Sequence, residues 1–389
     1  MATTRHRDTI KDASRTGGAV QSTATERVSA ASQRVTVEAA ARLHLGFIDP
    51  DGSLGGGAGE VGLREARSGE VASGQPECAE ARPGRRFGSI GLAVDQPVTR
   101  LTVRRSDHFF ASGPEADRAV AAARRFSLAF AGGAPFRVDV AEAIPSHAGL
   151  GSGTQLALAI GTAILQLIEA DCETPAAPAN HLQLSAKLGA MAERGARSAI
   201  GIASFTGGGF IIDAGKSARL ELAAAPPAVL MQIPFPDAWR AILIMDNAIE
   251  GVHGDAETAA FARLAPFGCD TSARIAHLVL MQLAPALHEA DLPAFGEALT
   301  EIQARVGAYF APAQGGSAWS SPSVGALARR LEADGATGIG QSSWGPTGFA
   351  FVSNEAHAEN LYRSHLEAAK AQKLSLAIVR GRNTGASIT

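Results

Sequence analysis

The sequence predicts a mixed α and β protein of two domains. Strand-like alternation and helix-like periodicity succeed one another in both halves of the 389 residues. The run Ala223-Ala-Ala-Pro-Pro interrupts that pattern near the middle. The length is also sufficient for more than one hydrophobic core.

The elements follow in order. Residues 1–34 carry only Ile10, Val20 and Val28 as large aliphatics after Met1, too little apolar surface to offset their ordering entropy. They are expected to form a disordered tail. Regular structure is expected from Val35-Thr-Val-Glu, which alternates as a strand does. Asp51 to Arg85 is charged, contains Gly55-Gly56-Gly57 and is poor in aliphatics, which predicts a mobile insert. Strand patterns return over Phe87–Val94 and Val98–Val103. Phe136, Val138 and Val140 alternate with Arg137 and Asp139 as in a half-buried strand. The apolar run Leu156–Ile168 predicts a buried helix, and a further helix follows near Leu182–Glu193. Gly207-Gly-Gly-Phe-Ile-Ile-Asp reads as turn and strand.

The second half opens with the strand Ala241–Met245. Ile275, Leu278, Val279, Leu283 and Leu287 recur at helical spacing. Asp291 is placed to cap a helix whose apolar face is Leu292, Phe295, Leu299, Ile302, Val306 and Phe310. Ser321-Pro322 predicts a cap followed by proline in the first turn. Strands at Gly348–Val352 and Leu374–Val379 flank a last helix. The expected domains are therefore 35–225 and 226–389.

A composition of 46% hydrophobic and 19% charged residues excludes a wholly disordered chain. The net charge of −3 argues against a bulk nucleic-acid coat, while leaving room for a local basic pocket. Cys78, Cys172 and Cys269 offer neither metal-ligand spacing nor an even disulfide set, as expected for a reducing, cytoplasmic setting. The start is polar, without the apolar core of a secretion signal. Leu156–Ile168 is too short to span a membrane.

The strongest local signal is Gly149-Leu-Gly-Ser-Gly-Thr between a strand and a helix. Glycines allow close backbone approach, and a helix start presents N–H groups and a positive dipole end. Together they make an anion site, most often for phosphate, although a tight packing turn has the same composition. Ser152 and Thr154 add hydroxyls. The spacing is neither that of the nucleotide loop ending in Gly-Lys-Ser/Thr nor that of the dinucleotide fingerprint.

Pro145-Ser-His-Ala-Gly-Leu-Gly-Ser matches the phosphate-loop pattern of the GHMP kinase superfamily, but continues Gly153-Thr154-Gln155 where the kinases carry Ser-Ala or Ser-Ser. From Val37 to Ala386, without the insert, the chain resembles the β-ribofuranosylaminobenzene (or β-ribofuranosylphenol) 5′-phosphate synthase family. The matching blocks include Ala41-Arg-Leu-His-Leu-Gly-Phe-Ile-Asp, Arg86-Phe-Gly-Ser-Ile-Gly-Leu-Ala and His147-Ala-Gly-Leu-Gly-Ser-Gly-Thr-Gln. Further on come Arg194-Gly-Ala-Arg-Ser-Ala-Ile-Gly, Phe310-Ala-Pro-Ala-Gln-Gly-Gly and Gly340-Gln-Ser-Ser-Trp-Gly-Pro-Thr.

The resemblance implies an α+β, GHMP-kinase-like fold, with an N-terminal phosphate-loop domain and a C-terminal ferredoxin-like domain. It also implies an activity: phosphoribosyl pyrophosphate joins 4-aminobenzoate or 4-hydroxybenzoate, with loss of carbon dioxide and pyrophosphate, in tetrahydromethanopterin biosynthesis. Mg2+ is expected with the pyrophosphate, and no organic cofactor. Neither nucleic acid nor membrane is expected as a partner, and a homodimer is one assembly option. An ATP-dependent small-molecule kinase and a non-catalytic phosphometabolite-binding regulator are the alternatives.

The candidate catalytic residues are Ser152, His147 and Arg42. Gly149, Gly151, Gly153, Thr154 and Gln155 belong to the expected phosphate loop. Arg194 and Arg197, three apart, either grip one anion together or form a solvated helix end. Arg42 and His44 alternate on a strand and share a face, which suits a carboxylate or phosphate; His44 reads equally as a core histidine. His147 either donates to the leaving pyrophosphate or is a loop histidine exposed to water. Gln341, Ser342, Ser343 and Trp344 form a polar and aromatic turn, in which Trp344 either stacks on a benzoate ring or anchors packing. Asp49 either contacts magnesium or opens a turn. Glu250, His253, Asp255 and Glu257 resemble a metal group without zinc spacing, and more readily cap a helix.

Overall fold

The computed structural model describes residues 34–52, 84–170, 181–195, 197–217, 225–249, 251, 259–260 and 263–389. The expected tail and insert lie almost wholly outside these residues, as do Glu250, His253, Asp255 and Glu257.

β1 (Arg34–Asp49) pairs antiparallel with the long β2 (Arg85–Arg105), with Val37 opposite Leu101 and Leu43 opposite Leu92. The register shifts between Ala40 and Arg42 and again between His44 and Gly46. Such irregularities turn the strand and re-aim side chains. Here they bracket Arg42 and His44. β2 spans two neighbours on one side: β4 (Phe136–Glu142) along its second half and β5 (Phe210–Asp213) along its first. β3 (Phe110–Ser112) joins β4 in parallel, and β6 (Lys216–Ser217) pairs with the start of β2.

α1 (Ala116–Phe130) and α2 (Ser152–Glu169) cover one face of this sheet. α2 is apolar around most of its girth between Leu156 and Ile164, where it is enclosed: Leu158, Ile160, Ala163 and Ile164 have no exposed surface. α3 (His181–Met191) and the short α4 (Ile200–Thr206) pack beside it.

β7 (Val229–Ile233) still belongs to the first sheet, antiparallel to β5. The expected division at 225/226 therefore falls one strand early, since Pro226-Pro227 precedes a pairing strand. The second sheet begins with β8 (Arg240–Asp246) and runs β11-β8-β10-β9, where β9 is Thr337–Gln341, β10 Thr347–Val352 and β11 Leu374–Val379. All its pairs are antiparallel. With helices after β8 and β10, this is the β-α-β-β-α-β order of a ferredoxin-like domain.

The helical layer starts with α5 (Cys269–Leu278), which continues through a π-helical turn at Val279–Leu283 into α6 (Ala284–Glu289). α7 (Leu292–Phe310) carries the apolar face the periodicity predicts. Its cap is Asp291, whose carboxylate accepts from the Ala294 N–H at 3.0 Å. Phe295 in its first turn is ringed by Phe210, Phe235, Trp239 and Phe351, which come from both sheets and the link between them. α8 (Pro322–Ala333) and α9 (Glu355–Ala371) pack on the second sheet. The C-terminal residues return to the first sheet, where β12 (Ser387–Ile388) pairs with β1. Among the described residues, no helix is long and apolar enough to cross a membrane.

Candidate active site

The chain leaves β4, turns at Pro145 and enters α2 through three left-handed positions: His147 (φ 57°), Gly149 (φ 79°) and Gly151 (φ 85°). Gly149 is required for a second reason. A side-chain carbon there would lie 2.2 Å from the Ser342 carbonyl oxygen and 2.9 Å from Gly345 Cα, so the two loops meet backbone to backbone.

Hydrogen bonds close this junction. The Gly149 carbonyl accepts from Arg42 Nη1 at 2.5 Å and from Ser342 Oγ at 2.6 Å. The Ser342 hydroxyl also accepts from the His44 N–H at 3.0 Å, and the Ser343 N–H donates to the His44 carbonyl at 3.1 Å. One buried hydroxyl thus joins β1, the glycine turn and the 342–345 turn.

These loops wall a cleft of about 610 Å³. Ser152, Gly153 and Thr154 from the start of α2 line it, as do Arg42, His44, Arg118, His147, Arg194, Arg197, Ser343 and Trp344. Gly153 lets two arginines come close: a side-chain carbon there would lie 2.6 Å from an Arg118 Nη2 and 2.9 Å from an Arg194 Nη2. Arg118 is held in place by Glu115 and by Ser146 Oγ, each at 2.7 Å. Burial, followed by the nearby Arg118 and Arg125, pulls Arg194 below the ordinary arginine value. It remains a cation. Four guanidinium groups and a helix start therefore face one volume, and the one carboxylate among its described lining residues is Glu193. Such a site suits a multiply charged anion.

The expected residues separate into three groups. Arg42, His44, His147, Gly149, Gly151, Ser152, Gly153, Thr154, Arg194, Arg197, Ser343 and Trp344 meet in the cleft. Gln155 does not reach it. α2 is enclosed beyond its first turn, so Gln155 is fully buried and donates to the Gly201 carbonyl at 2.9 Å. Ser342 and Gln341 act behind the wall. Gln341 accepts from the Ser320 N–H and donates to the Ser343 carbonyl, fixing the turn. Trp344 is almost wholly buried, its ring 4.6 Å from that of Phe310, so it packs as well as lines. Arg194 and Arg197 lie in a non-helical loop after α3 rather than on a helix end. Asp49 accepts from Ser272 Oγ at 3.0 Å, away from the cleft lining.

Two contributors were not legible in advance. Arg118 sits on α1, distant in sequence and without a motif. Asp213 at the end of β5 is fully buried and accepts from the N–H groups of Ser89, Ala199 and Gly215 and from Ser198 Oγ. Burial pushes its carboxyl up to about 6, against the pull of those four donors. It anchors the segment that carries Arg197 into α4. The Gly207-Gly-Gly-Phe-Ile-Ile-Asp pattern marked the strand, but not the role of its last residue.

His44 is buried on all sides. Burial first, then the Arg42 and Arg197 charges, lower its pKa to about 3, so the ring is neutral. Among the described residues, neither ring nitrogen has a hydrogen-bond partner outside the histidine's own backbone.

Comparison with known proteins bears on this geometry. The GHMP kinases N terminal domain matches residues 117–209, and the GHMP kinases C terminal domain matches 283–371. A β-ribofuranosylphenol 5′-phosphate synthase from Archaeoglobus fulgidus is 31% identical over 319 residues, covering 78% of this chain and 93% of that protein. The enzyme of the same name from Methanothermobacter thermautotrophicus is 30% identical over 282 residues, covering 68% and 80%. The chain belongs to the β-ribofuranosylphenol 5′-phosphate synthase family. Its fold is that of the GHMP kinases. Homoserine kinase from Cytophaga hutchinsonii superposes with a TM-score of 0.60 at 16% identity, covering 92% of this chain and 98% of that one. Mevalonate diphosphate decarboxylase from Staphylococcus aureus superposes with a TM-score of 0.55, also at 16% identity, with the same coverage. Within the synthase family, the Gly153-Thr154-Gln155 continuation now has a structural content. Gly153 admits two arginines, Thr154 faces the cleft, and Gln155 ties α2 to α4.

Proposed function

We propose that this protein condenses phosphoribosyl pyrophosphate with a 4-substituted benzoate, 4-hydroxybenzoate or 4-aminobenzoate, to give a β-ribofuranosyl-arene 5′-phosphate. The observation that carries this reading is the cleft. Arg42, Arg118, Arg194 and Arg197 converge with the glycine turn on a volume suited to a sugar carrying both a phosphate and a pyrophosphate. Membership of the synthase family supplies the reaction class.

In the reaction the bond between ribose C1 and the pyrophosphate oxygen breaks, and the oxygen keeps the pair. The ring carbon that bears the carboxylate forms a bond to C1. Its bond to the carboxylate then breaks and returns its electron pair to the ring, releasing carbon dioxide and restoring aromaticity. No C–H proton has to be removed. The protein's work is therefore to hold anions, orient the ring and stabilise the leaving group. The first turn of α2, with Ser152 and Thr154, faces the leaving pyrophosphate. Arg118 and Arg194 at Gly153 offset its growing charge. Among the described residues no cluster of His, Cys, Asp or Glu could cage a metal. A magnesium ion carried on the pyrophosphate would meet the Ser152 and Thr154 hydroxyls and neutralise leaving-group charge.

The test is incubation with phosphoribosyl pyrophosphate, magnesium and carboxyl-labelled benzoate. Stoichiometric release of labelled carbon dioxide and pyrophosphate is expected. Pyrophosphate release without decarboxylation, or ATP consumption in place of both, would overturn the proposal.

A further inference from the structure

Beside the cleft lies a narrow slot of about 20 Å³, lined by His44, Phe47, Val306, Phe310, Gln314 and Ser343. His44, Phe47 and Ser343 line both spaces, so the slot and the cleft share a wall. Aromatic and aliphatic side chains share its walls with polar ones, Gln303 and Gln341 among them, and the His44 ring lies 4.5 Å from that of Phe47, which lies 6.0 Å from that of Phe310. Yet one buried and one half-buried side chain on its lining carry enclosed polar atoms that have no hydrogen-bond partner among the described residues. They are both ring nitrogens of His44 and Nε2 of Gln314.

The orientation of the Gln314 amide follows from its neighbours. The Ser320 N–H can only donate, so the Gln341 atom 2.8 Å from it is oxygen. The other end of the Gln341 amide is then nitrogen, and it donates to Gln314 at 2.9 Å. The Gln314 atom that accepts is oxygen, which also accepts from Ser320 Oγ at 2.7 Å. The Gln314 NH2 group is left as the unpartnered end. A backbone N–H thus sets, through two amides, a donor beside a neutral histidine. Burying unpartnered polar groups is unfavourable, which marks a place where a ligand group completes the set.

We infer that this slot reads the 4-substituent of the benzoate, with Gln314 donating to it and His44 accepting from it. The inference rests on the proposed function. It has support of its own in the direction of attack. The reacting ring carbon bears the carboxylate and must face the ribose among the arginines. The 4-substituent lies at the opposite end of the ring and so points away from them. A space of about 20 Å³ admits a single small polar group, since about 10–15 Å³ suffices for one water molecule. A hydroxyl meets both requirements at once, with one proton to donate and lone pairs to accept. An arylamine has two protons to donate and a nitrogen pair drawn into the ring, so it leaves the Gln314 donor poorly matched. An acceptor at His44 also holds the hydroxyl proton where electron release into the ring favours attack from the carboxylate-bearing carbon. Gln314 and His44 are thereby specificity-determining residues, and the slot favours 4-hydroxybenzoate.

The test is Gln314→Met, which keeps the length of the side chain and removes the donor. It is read as kcat/KM for 4-hydroxybenzoate and 4-aminobenzoate, each with saturating phosphoribosyl pyrophosphate. The expected result is a loss of tenfold or more on the hydroxy substrate, a smaller loss on the amino substrate, and an unchanged KM for phosphoribosyl pyrophosphate. Equal losses on both, or none, would overturn the assignment. A second measurement needs no variant: unsubstituted benzoate should inhibit the wild-type protein at least tenfold more weakly than 4-hydroxybenzoate binds. Equal affinity would also overturn it. If the wild-type protein releases no carbon dioxide from either substrate, the proposed function itself fails, an outcome separate from these.

Discussion

Ser342→Ala isolates the contact that joins the two halves of the site. The hydroxyl has no exposure, accepts the His44 N–H and donates to the Gly149 carbonyl. Its removal leaves the His44 N–H buried without that acceptor, a loss of about 1–3 kcal/mol. The Gly149 carbonyl keeps the Arg42 guanidinium, so its side of the loss stays near about 0.5–1.5 kcal/mol. The expected destabilisation is therefore about 1.5–4.5 kcal/mol. At roughly 2 °C per kcal/mol for a large chain, the melting temperature should fall by about 3–9 °C. The glycine turn should also lose its register against β1, raising KM for phosphoribosyl pyrophosphate more than KM for benzoate. Ser89→Ala is the matched control. That serine is equally buried, but its hydroxyl has no partner among the described residues, so its removal should be neutral or slightly stabilising. Differential scanning fluorimetry of both variants, with steady-state kinetics, decides the matter. Equal melting temperatures for Ser342→Ala and Ser89→Ala, with unchanged KM values, would refute the reasoning.

Three further outcomes follow from the same geometry. His44 has a folded pKa of about 3, below the unfolded value near 6.5, so its contribution is present above pH 6.5 and is lost as the pH falls toward 3. Linkage gives about 2 kcal/mol lost between pH 8 and pH 5; urea melts of wild type and His44→Leu should show that difference in slope, and parallel curves would exclude it. Asp213→Asn places an NH2 group against the Ala199 N–H and Ser198, and should destabilise by on the order of 3 kcal/mol while loosening the Arg197 segment, read as a lower melting temperature with a raised KM for phosphoribosyl pyrophosphate. Arg118→Met and Arg194→Met should each weaken phosphoribosyl pyrophosphate by about tenfold or more, at about 1.5–3 kcal/mol per charged hydrogen bond, with little effect on benzoate; calorimetric titration showing unchanged affinity would remove them from the anion site.

The sequence by itself determined the mixed class, most of the element positions and the glycine turn. These rest on local rules: alternation, helical period, caps such as Asp291 and Ser321, and glycines at left-handed positions. Blocks held in a fixed order pointed to the synthase family, because a run such as Gly340-Gln-Ser-Ser-Trp-Gly-Pro-Thr is long enough to be specific. What each residue in those blocks does was decided by the tertiary structure. Ser342 and Ser343 are adjacent in sequence, yet one bonds behind the wall and the other faces the cleft. Gln155 follows Thr154 directly but turns inward, because α2 is enclosed after its first turn. Arg118 lies in no marked block, and the blocks that contain Asp213 and Gln314 do not say what these side chains do. Their roles arise from contacts that join distant segments: Arg118 meets Gly153 across the sheet-covering helices, Asp213 collects donors from three segments, and Gln314 is oriented through Gln341 by the Ser320 N–H. A local pattern records how a segment satisfies its own backbone and which face it buries. It holds no record of which distant group approaches that face, and the chemistry of this cleft is made of those approaches.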